Sequence, residues 1–359
     1  MIIYYNEKGY SFVIACSPFK MFYDTRVENI LMVPINIYRA FTPTSDVMAL
    51  WKLCKLIRKE QFDMVIGHTP KGALLSMLAS KYVGVGTRIY YRHGILYQTS
   101  KGLRRIFFKM IEILTSYCST SIINVSRSVE EFSIQNKLNR PEKGIILGTD
   151  GSCGAFNPIK YSRQFIKKQD VDFFKNENQI KPNEILIGYF GRMVNDKGIN
   201  DLINAWQILI EKYSNVKLVL AGEYEERDGL PKLTKDKIAS NSTIIYLDYV
   251  KQLEVIYASL DIFILPSYRE GLPTVILEAS SMEVPVITTK VTGCVDAIVE
   301  NETGIFCTHD PKNIAEKISF YIEHPEIRKL HGQNGRQFVL EHFNQSKIWE
   351  DFENKVLKL

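Results

Sequence analysis

The 359-residue chain has no apolar run of the roughly 18–20 residues that a membrane-spanning helix needs. Its first ten residues, MIIYYNEKGY, lack the basic start and the apolar stretch of a signal peptide. The six cysteines are scattered and form no CxxC pair, which argues against a zinc site or a disulfide framework. These absences predict a cytoplasmic globular protein with reduced, mostly buried thiols.

Positive charge is concentrated in the front of the chain. Residues 1–150 hold 20 Lys and Arg against 11 Asp and Glu, a balance of +9, whereas the remainder has a balance of −4. This asymmetry predicts an anionic partner for the front half. We expect no nucleic acid among the partners.

Short β-rich apolar runs alternate with amphipathic helical patterns, which predicts βαβ units and parallel sheets. The strands predicted in the front half are 11–16, 64–68, 88–94, 121–126 and 144–148, and the helices are 46–59, 71–82 and 100–116. A second series has strands at 185–191, 216–222, 243–248, 261–267, 285–290 and 303–307, and helices at 199–213, 251–259, 274–283 and 312–323. The chain is therefore predicted to be α/β, with two doubly wound Rossmann-like domains and a ligand site in the cleft between them.

A polar, Lys- and Asn-rich stretch at 151–183 interrupts the alternation and contains Pro158 and Pro182. We therefore expect four segments. These are an N-terminal domain at 1–160, a linker at 161–183, a C-terminal domain at 184–335 and terminal helices at 336–359.

The strand at 185–190 runs directly into GRMVNDKG, residues 191–198. Gly191 permits a sharp turn, and Arg192 and Lys197 then lie on the loop before a helix. Two cations beside a helix N-terminus favour a bound diphosphate. The alternative is a solvated loop with ordinary surface cations.

The stretch SYREGLPTVILEAS, residues 267–280, places Glu270 and Glu278 on either side of a Gly-Leu-Pro turn. The apolar run before it, DIFILPS, predicts a buried parallel strand. Ionised carboxylates only accept hydrogen bonds, which suits sugar hydroxyls. We therefore expect Glu270 to face a sugar and Glu278 a ribose. Alternatively, each is an ordinary residue at the start or on the surface of a helix.

The turn between the two glutamates has its own pattern. Pro273 suits the first position of the following helix. Gly271 lets the backbone approach a ligand, and the N–H groups of Leu272 and Thr274 can then point at phosphate or sugar oxygens.

Residues 266–298, PSYREGLPTVILEASSMEVPVITTKVTGCVDAI, resemble the retaining glycosyltransferases of the family 4 type, which have the GT-B fold and an E-x7-E motif. GRMVNDKG is similar to their diphosphate loop, and the resemblance covers nearly all of 185–335. It implies that Arg192 and Lys197 hold the nucleotide diphosphate. It also implies that Glu278 binds ribose and that Glu270 contacts the transferred sugar near its C3 and C4 hydroxyls. The backbone around Tyr249 and Val250 would face the base.

This resemblance implies transfer of a sugar from a nucleotide-sugar, with a UDP-sugar expected, to a lipid-linked or saccharide acceptor. The anomeric configuration would be retained by front-face attack. Arg192 and Lys197 would stabilise the leaving diphosphate, and no metal cofactor is expected. The alternatives are a sugar-nucleotide epimerase or a phosphorylase of the same fold, or a catalytically impaired homologue.

Two front-half segments, 63–79 and 88–94, resemble bacterial surface-polysaccharide and lipid-linked-glycan transferases. By this resemblance, His93 lies at a strand end near the donor sugar. His68, Thr69 and Lys71 lie at another strand end on the acceptor side, and Lys71 is expected to meet an acceptor diphosphate. Alternatively, each histidine is only structural.

The segment SKGLRRIFFKMIEILTSYC, residues 100–118, is basic and amphipathic. It predicts docking on an anionic membrane, with each Lys or Arg contributing about 1 kcal/mol. The protein would then be peripheral at the inner face of the cytoplasmic membrane. Alternatively, the helix packs on the core with a solvated basic face.

Residues 8–18, KGYSFVIACSP, resemble the second strand of the family and not the first. The first βα unit is therefore expected to be missing. Either the true start lies upstream, or MIIYY pairs as a substitute edge strand. The fold also implies that the terminal helices, including IWEDFENKVLKL at 348–359, cross back to the first domain.

Overall fold

The computed structural model describes residues 2–18, 30–38, 40–152, 154 and 156–358. Met1 and Cys153 lie outside these ranges, as does any expectation that rests on them. The five cysteines within them are free thiols, and Cys118, Cys294 and Cys307 are buried. Among the helices of these ranges, none combines the length and the apolar character that crossing a bilayer requires.

The chain divides into two compact units. Unit 1 comprises Met1–Val125, Val129–Leu147 and Trp349–Leu359, and unit 2 comprises Ser126–Ser128 and Gly148–Ile348.

The elements that lie wholly or mainly in unit 1 form two parallel sheets and the helices around them. The helices are α1 (Ile2–Glu7), α2 (Pro43–Glu60), α3 (Pro70–Val83), α4 (Gly102–Cys118) and α5 (Arg127–Gln135), with short 3-10 turns at Leu96–Gln98 and Pro141–Lys143 and a π turn at Glu353–Leu357. The strands are β1 (Phe12–Cys16), β2 (Ile30–Pro34), β3 (Met64–His68), β4 (Thr87–Arg92), β5 (Ser121–Asn124) and β6 (Gly144–Ile146). One sheet pairs β1 with β2, and the other has the order β3-β4-β5-β6.

Helix α2 shows why this part of the sequence folds as it does. Ala49, Leu53 and Ile57 recur every four residues, so they lie on one face of the helix, and all three are buried. They join a core cluster with Leu75 of α3 and with Ile35. The helix pattern predicted at 46–59 is thus confirmed, with one more turn that begins at Pro43.

The first residues form a helix, so the proposed substitute edge strand at MIIYY is wrong. The reason is aromatic packing within unit 1. The Tyr5 side chain is buried and its hydroxyl donates to the Trp349 carbonyl oxygen. The Tyr4 ring stacks on the Trp349 ring at a centroid distance of 4.5 Å, and Lys8 Nζ lies 2.6 Å from Glu353 Oε2.

Unit 2 holds one parallel sheet and the remaining helices, the last of which continues into unit 1 from Trp349. The strands are β7 (Ile185–Phe190), β8 (Val216–Ala221), β9 (Ile244–Leu247), β10 (Ile262–Leu265), β11 (Val286–Thr289) and β12 (Gly304–Cys307). The helices are α6 (Lys168–Glu177), α7 (Ile199–Lys212), α8 (Lys232–Ser240), α9 (Leu253–Ser259), α10 (Thr274–Ser281), α11 (Pro311–Glu323), α12 (Pro325–His342) and α13 (Gln345–Phe352), with 3-10 turns at Arg163–Phe165 and Asn195–Lys197.

The strand order of this sheet is β12-β11-β10-β7-β8-β9, and every pairing is parallel. From β7 the chain moves outward through β8 and β9. It then returns to the other side of β7 and continues through β10 to β12. The order therefore reverses between β7 and β10. In open α/β sheets, ligands bind beyond the carboxyl ends of the strands at such a switch point.

The core of unit 2 holds β7 and β10 in place. All four residues of β10 are buried, and the Phe263 ring packs edge-on against the Phe190 ring at 5.7 Å. The indole of Trp206 on α7 is fully buried, and its Nε1 donates to Thr243 Oγ1 at 2.8 Å. This packing fixes the strand ends from which the site loops depart.

The observed boundaries differ from the expected segments. Unit 2 begins at Gly148, and the expected linker at 161–183 contains α6, which packs on α9. Polar composition hides this helix because the whole segment is Lys- and Asn-rich. Of the terminal segment expected to cross back, only Trp349–Leu359 belongs to unit 1.

Candidate functional site

Two loops meet at the switch point of the unit 2 sheet. One follows β7 and runs from Gly191 to Gly198, and the other follows β10 and contains Tyr268. The Tyr268 N–H donates to the Asp196 carbonyl oxygen at 2.9 Å. Gly198 has φ +72°, and a Cβ there would clash with the Pro266 carbonyl oxygen. Only glycine fits this position, so the loops approach each other more closely than side chains would allow.

Lys197 and Glu270, both predicted site residues, form an ion pair across these loops. Lys197 Nζ lies 2.5 Å from Glu270 Oε1, and their side chains are only 17% and 10% exposed. Ser267 Oγ donates to the same oxygen at 2.7 Å. Within the described part of the chain, both hydrogen bonds of this carboxylate end on Oε1. Oε2 of Glu270 and further N–H groups of Lys197 therefore have hydrogen-bonding capacity that the described residues do not use.

A second ion pair joins the same loops one residue earlier. Arg269 Nη2 lies 2.5 Å from Asp196 Oδ2, with side chains 20% and 16% exposed. Sequence reasoning missed both residues. The available signal was their charge. In NDK, residues 195–197, an acidic residue precedes a basic one, whereas in YRE, residues 268–270, a basic residue precedes an acidic one.

Arg192, the other predicted cation, is more exposed than Lys197. Its Nη1 lies 2.9 Å from Glu225 Oε2, and its side chain is 48% exposed. Such a pair is worth about 0–1 kcal/mol, so a strongly charged ligand can displace Glu225 at little cost. Gly191, just before it, has φ +148°, which provides the expected sharp turn.

Glu278 lies on α10, one turn after its first residue. Its Oε2 accepts a hydrogen bond from the Tyr257 hydroxyl at 2.9 Å, and Tyr161 interacts with the same carboxylate. Burial raises the pKa of Glu278 above its usual value. The two tyrosines lie far from Glu278 in sequence, so no local pattern indicated them.

The turn before α10 is mostly buried. Gly271 and Leu272 are buried, and the Gly271 carbonyl oxygen accepts from Ser126 Oγ at 2.9 Å. The prediction that Pro273 is the first helical residue is wrong by one position. Pro273 has an extended ψ of 99°, so it caps the helix and Thr274 begins it, half-buried.

The two residues expected to face a base lie in the loop after β9. Tyr249 is 76% exposed, and Val250 is half-buried. β9 is the edge strand of the sheet, two strands away from β7.

In unit 1, the structure brings His68 and His93 together. His68 ends β3 and His93 follows β4, and His68 Nδ1 lies 2.9 Å from His93 Nε2. The Tyr91 ring stacks on both imidazoles, at 5.1 Å and 4.8 Å. Both histidines are exposed at the surface, although protein surrounds much of each ring. Nevertheless, the protein around the rings lowers the pKa of His68, and burial together with His68 lowers the pKa of His93 to about 4.

Thr69 and Lys71 follow His68 and begin α3. Thr69 has φ +64°, and its side chain caps the helix by accepting from the Gly72 N–H at 3.3 Å. A β-branched residue in this region is strained by about 1–3 kcal/mol. Lys71 Nζ lies 2.5 Å from Asp46 Oδ1, donates to the Ala40 carbonyl oxygen, and has a side chain only 11% exposed. Lys71 therefore holds the start of α2, an arrangement that the sequence did not indicate.

Helix α4 has an exposed apolar stripe. We define the α4 surface as the exposed residues Leu103, Ile106, Phe107, Met110, Ile113, Leu114 and Tyr117. Their spacing of three and four residues places them on one face. Lys101, Arg104 and Arg105 are exposed near the same end of the helix, and the Phe41 ring contacts the Phe107 ring at 5.0 Å. The alternative of core packing therefore holds only for the other face of α4, where Glu112, Thr115 and Ser116 are buried.

Groups of three or more His, Cys, Asp or Glu that could hold a metal ion are absent from the described ranges.

Two family models match the chain. The model described as "Glycosyl transferases group 1" matches residues 170–338, and the model described as "Glycosyl transferase 4-like" matches residues 2–126. Together they cover both units and include all the predicted site residues.

Individual relatives agree. The capsular polysaccharide biosynthesis glycosyltransferase CapM of Staphylococcus aureus is 31% identical over 333 residues, which is 92% of this chain and 85% of that protein. The Escherichia coli UDP-Gal:α-D-GlcNAc-diphosphoundecaprenol α-1,3-galactosyltransferase is 25% identical over 270 residues, or 74% of this chain and 67% of that protein.

Among solved structures, HepE from Anabaena in complex with UDP and glucose is similar. It has a TM-score of 0.77 and 18% identity, over 92% of this chain and 86% of that chain. The expected GT-B fold is thereby confirmed, in agreement with the parallel sheets described in each unit. The chain belongs to the group 1, family 4-like glycosyltransferases, and it is a transferase.

Proposed function

We propose that this glycosyltransferase transfers a sugar from a UDP-sugar to a polyprenyl-diphosphate-linked or saccharide acceptor. Its product would belong to a bacterial cell-surface polysaccharide such as a capsule, an O antigen or an exopolysaccharide. The observation that carries the proposal is the Lys197–Glu270 pair at the switch point of the unit 2 sheet. The names of CapM and of the Escherichia coli galactosyltransferase support the polysaccharide product, the UDP-sugar and the lipid-linked acceptor.

The diphosphate of the donor binds at the loop after β7 in this proposal. Arg192 exchanges Glu225 for the diphosphate, because an exposed ion pair costs little to break. Lys197 keeps Glu270 and offers its remaining N–H groups. These two cations, without a metal cofactor, stabilise the charge that develops on the leaving diphosphate.

The rest of the donor is held by groups around the same strand ends. Glu270 accepts a hydrogen bond from a hydroxyl of the transferred sugar through Oε2. Glu278 accepts from the ribose, and the backbone at Tyr249 and Val250 faces the base. The N–H groups of Leu272 and Thr274 point towards phosphate or sugar oxygens.

Unit 1 contributes the acceptor side and a neutral hydrogen-bonding group. Because its pKa is lowered to about 4, His93 is uncharged near pH 7 and acts towards the sugar as a hydrogen-bond partner. His68 orients the ring of His93 from 2.9 Å. His68, Thr69 and Lys71 lie on the acceptor side, where Lys71 would exchange Asp46 for an acceptor diphosphate. Transfer then retains the anomeric configuration, with the leaving diphosphate accepting the proton of the attacking hydroxyl.

The α4 surface is proposed to dock on an anionic membrane at the inner face of the cytoplasmic membrane. Its apolar stripe would enter the interface while Lys101, Arg104 and Arg105 meet lipid phosphates. Flotation tests this contact by comparing two vesicle preparations. One is phosphatidylcholine alone, and the other also contains about 30% phosphatidylglycerol, an anionic lipid. We expect binding only to the anionic vesicles, and loss of it in Leu103→Glu. Equal flotation of the variant would contradict the docking.

A transfer assay tests the proposed function. UDP-glucose, UDP-galactose, UDP-GlcNAc and UDP-GalNAc are each incubated with a polyprenyl-diphosphate-GlcNAc acceptor, with and without EDTA. We expect one donor to yield a glycolipid product with retained configuration, at the same rate in EDTA. Glu270→Ala should abolish most of this activity.

A thermal-shift panel of UDP- and GDP-sugars complements the assay. A ligand at 100 times its Kd stabilises the folded protein by about 2.7 kcal/mol, so a bound donor raises the melting temperature. The absence of a shift for every nucleotide-sugar, together with no transfer, would overturn the proposal.

A further inference from the structure

We propose that the Asp196–Arg269 ion pair is a positioning device that sets Lys197 against Glu270 without itself contacting the donor. The inference rests on the proposed function, because it concerns how the diphosphate-binding cation is placed. Neither the sequence patterns nor the relatives assign a role to these two residues.

The first support is the order of charges on the two loops. Asp196 and Lys197 are consecutive, as are Arg269 and Glu270, and the structure pairs them as two rungs of opposite polarity. A slip of one residue in either direction would oppose Asp196 to Glu270, or Lys197 to Arg269. Like charges at such distances repel, so the pattern allows only one register of the loops.

The second support is that Asp196 is held from three directions. Its N–H donates to Asp228 Oδ2 at 2.8 Å, its carbonyl oxygen accepts from the Tyr268 N–H at 2.9 Å, and its Oδ2 binds Arg269. Lys197 is the next residue in the same 3-10 turn, Asn195–Lys197. Movement of Asp196 would therefore move the cation that is proposed to bind the diphosphate.

The third support is the geometry of the Arg269 guanidinium. Its Nη2 is bonded to Asp196, and its Nε is buried without a hydrogen-bond partner among the described residues. Bidentate recognition of a phosphate through the Nε–Nη2 edge needs both groups. That edge faces the loop here and the side chain is only 20% exposed, which supports an action of Arg269 on the loop.

The test compares the affinities of UDP and UMP, which differ by the β-phosphate that Lys197 is proposed to bind. The variants are Asp196→Asn, Arg269→Gln, the double variant, and the conservative Arg269→Lys. Arg328→Gln is a matched control, because it removes another Arg–Asp pair of the same unit. Arg328 lies 3.6 Å from Asp261, which directly precedes β10, at the end opposite to the site loops. Calorimetric titration gives the ratio of the Kd of UMP to that of UDP. This ratio does not depend on the folded fraction of a sample.

We expect each single variant to lower the ratio by about tenfold, a typical coupling for residues in one ion-pair network. The double variant should lower it no further, since both changes break the same pair. Arg269→Lys should restore part of the ratio, and Arg328→Gln should keep the wild-type value. Wild-type ratios in the single variants, or multiplied effects in the double variant, would overturn the inference while leaving the proposed function intact. A wild-type protein that binds neither nucleotide would overturn both.

Discussion

The carboxyl edges of the two main sheets carry different chemistry. In unit 2, the loops after β7 and β10 are joined by two partly buried ion pairs and a backbone hydrogen bond. In unit 1, the ends of β3 and β4 carry two stacked imidazoles joined by one hydrogen bond, and both have lowered pKa values. The paired side chains at the unit 2 edge are therefore charged, whereas the two imidazoles at the unit 1 edge are neutral near pH 7.

The two main sheets also differ in strand order. The unit 2 sheet reverses its order between β7 and β10, whereas the described four-stranded sheet of unit 1 runs in sequence from β3 to β6. In open α/β sheets, ligands bind beyond the carboxyl ends of the strands at such a reversal. On the proposed function, we expect the unit 2 loops to supply most of the binding energy for a charged donor.

Removal of the buried cation should have the largest effect. Lys197→Met is expected to lower kcat/KM by about 10²–10³-fold, the range for loss of a preorganised electrostatic contact to developing charge. Initial rates in the transfer assay measure it. The control is Lys212→Met, because Lys212 forms an exposed pair with Glu323 and should retain wild-type rates. A decrease in kcat/KM of less than threefold for Lys197→Met would show that this cation does not stabilise the leaving diphosphate.

Removal of the neutral partner should have a smaller effect. His93→Gln keeps a hydrogen-bonding side chain but loses the imidazole, and we expect a decrease in kcat of about tenfold with little change in the Kd of UDP. His324→Gln, at the end of α11 in unit 2, serves as the control. If His93→Gln lost as much UDP affinity as Lys197→Met, the proposal that Lys197 binds UDP and His93 does not would be contradicted.

The exposed cation should matter less than the buried one. Arg192→Gln is expected to raise the Kd of UDP by about three- to fivefold, because its pair with Glu225 is half solvated and screened. This difference should shrink further at high salt. Equal losses for Arg192→Gln and Lys197→Met would show that burial does not decide their contributions.

The smallest expected effect is on the pH dependence of stability, through the lowered pKa of His93. The unfolded chain protonates His93 near pH 6.5, whereas the folded protein does so only near pH 4. Between these values the unfolded chain binds more protons, so the free energy of unfolding falls as pH drops from 6.5 to 4. Urea denaturation at pH 7.5, 6.0 and 5.0 should show a shallower fall for His93→Gln than for the wild type. Identical slopes would contradict the lowered pKa.

Much of the fold could be predicted because periodicity is local. The strands at 64–68 and 185–190 match the structure to within one residue, since each is an apolar run that ends at a turn. Strand order could not be read from the same runs. The polar helix α6 was missed because its composition resembles a linker.

The candidate site could be predicted only in part. The motifs placed Lys197 and Glu270 at strand ends, but not against each other, because pairing depends on β7 and β10 being neighbours. Tyr161 and Tyr257, which bind Glu278, come from distant segments and leave no local pattern. The burial of Lys71 against Asp46 depends in the same way on the packing of α2 on α3.

A crystal structure of the protein with UDP would show directly whether Lys197 binds the diphosphate at the ends of β7 and β10. We predict a β-phosphate oxygen about 2.7–2.9 Å from Lys197 Nζ, the length of a charge-assisted hydrogen bond, with Glu270 still paired to the same ammonium. A diphosphate bound away from the ends of β7 and β10, with Lys197 uninvolved, would contradict it.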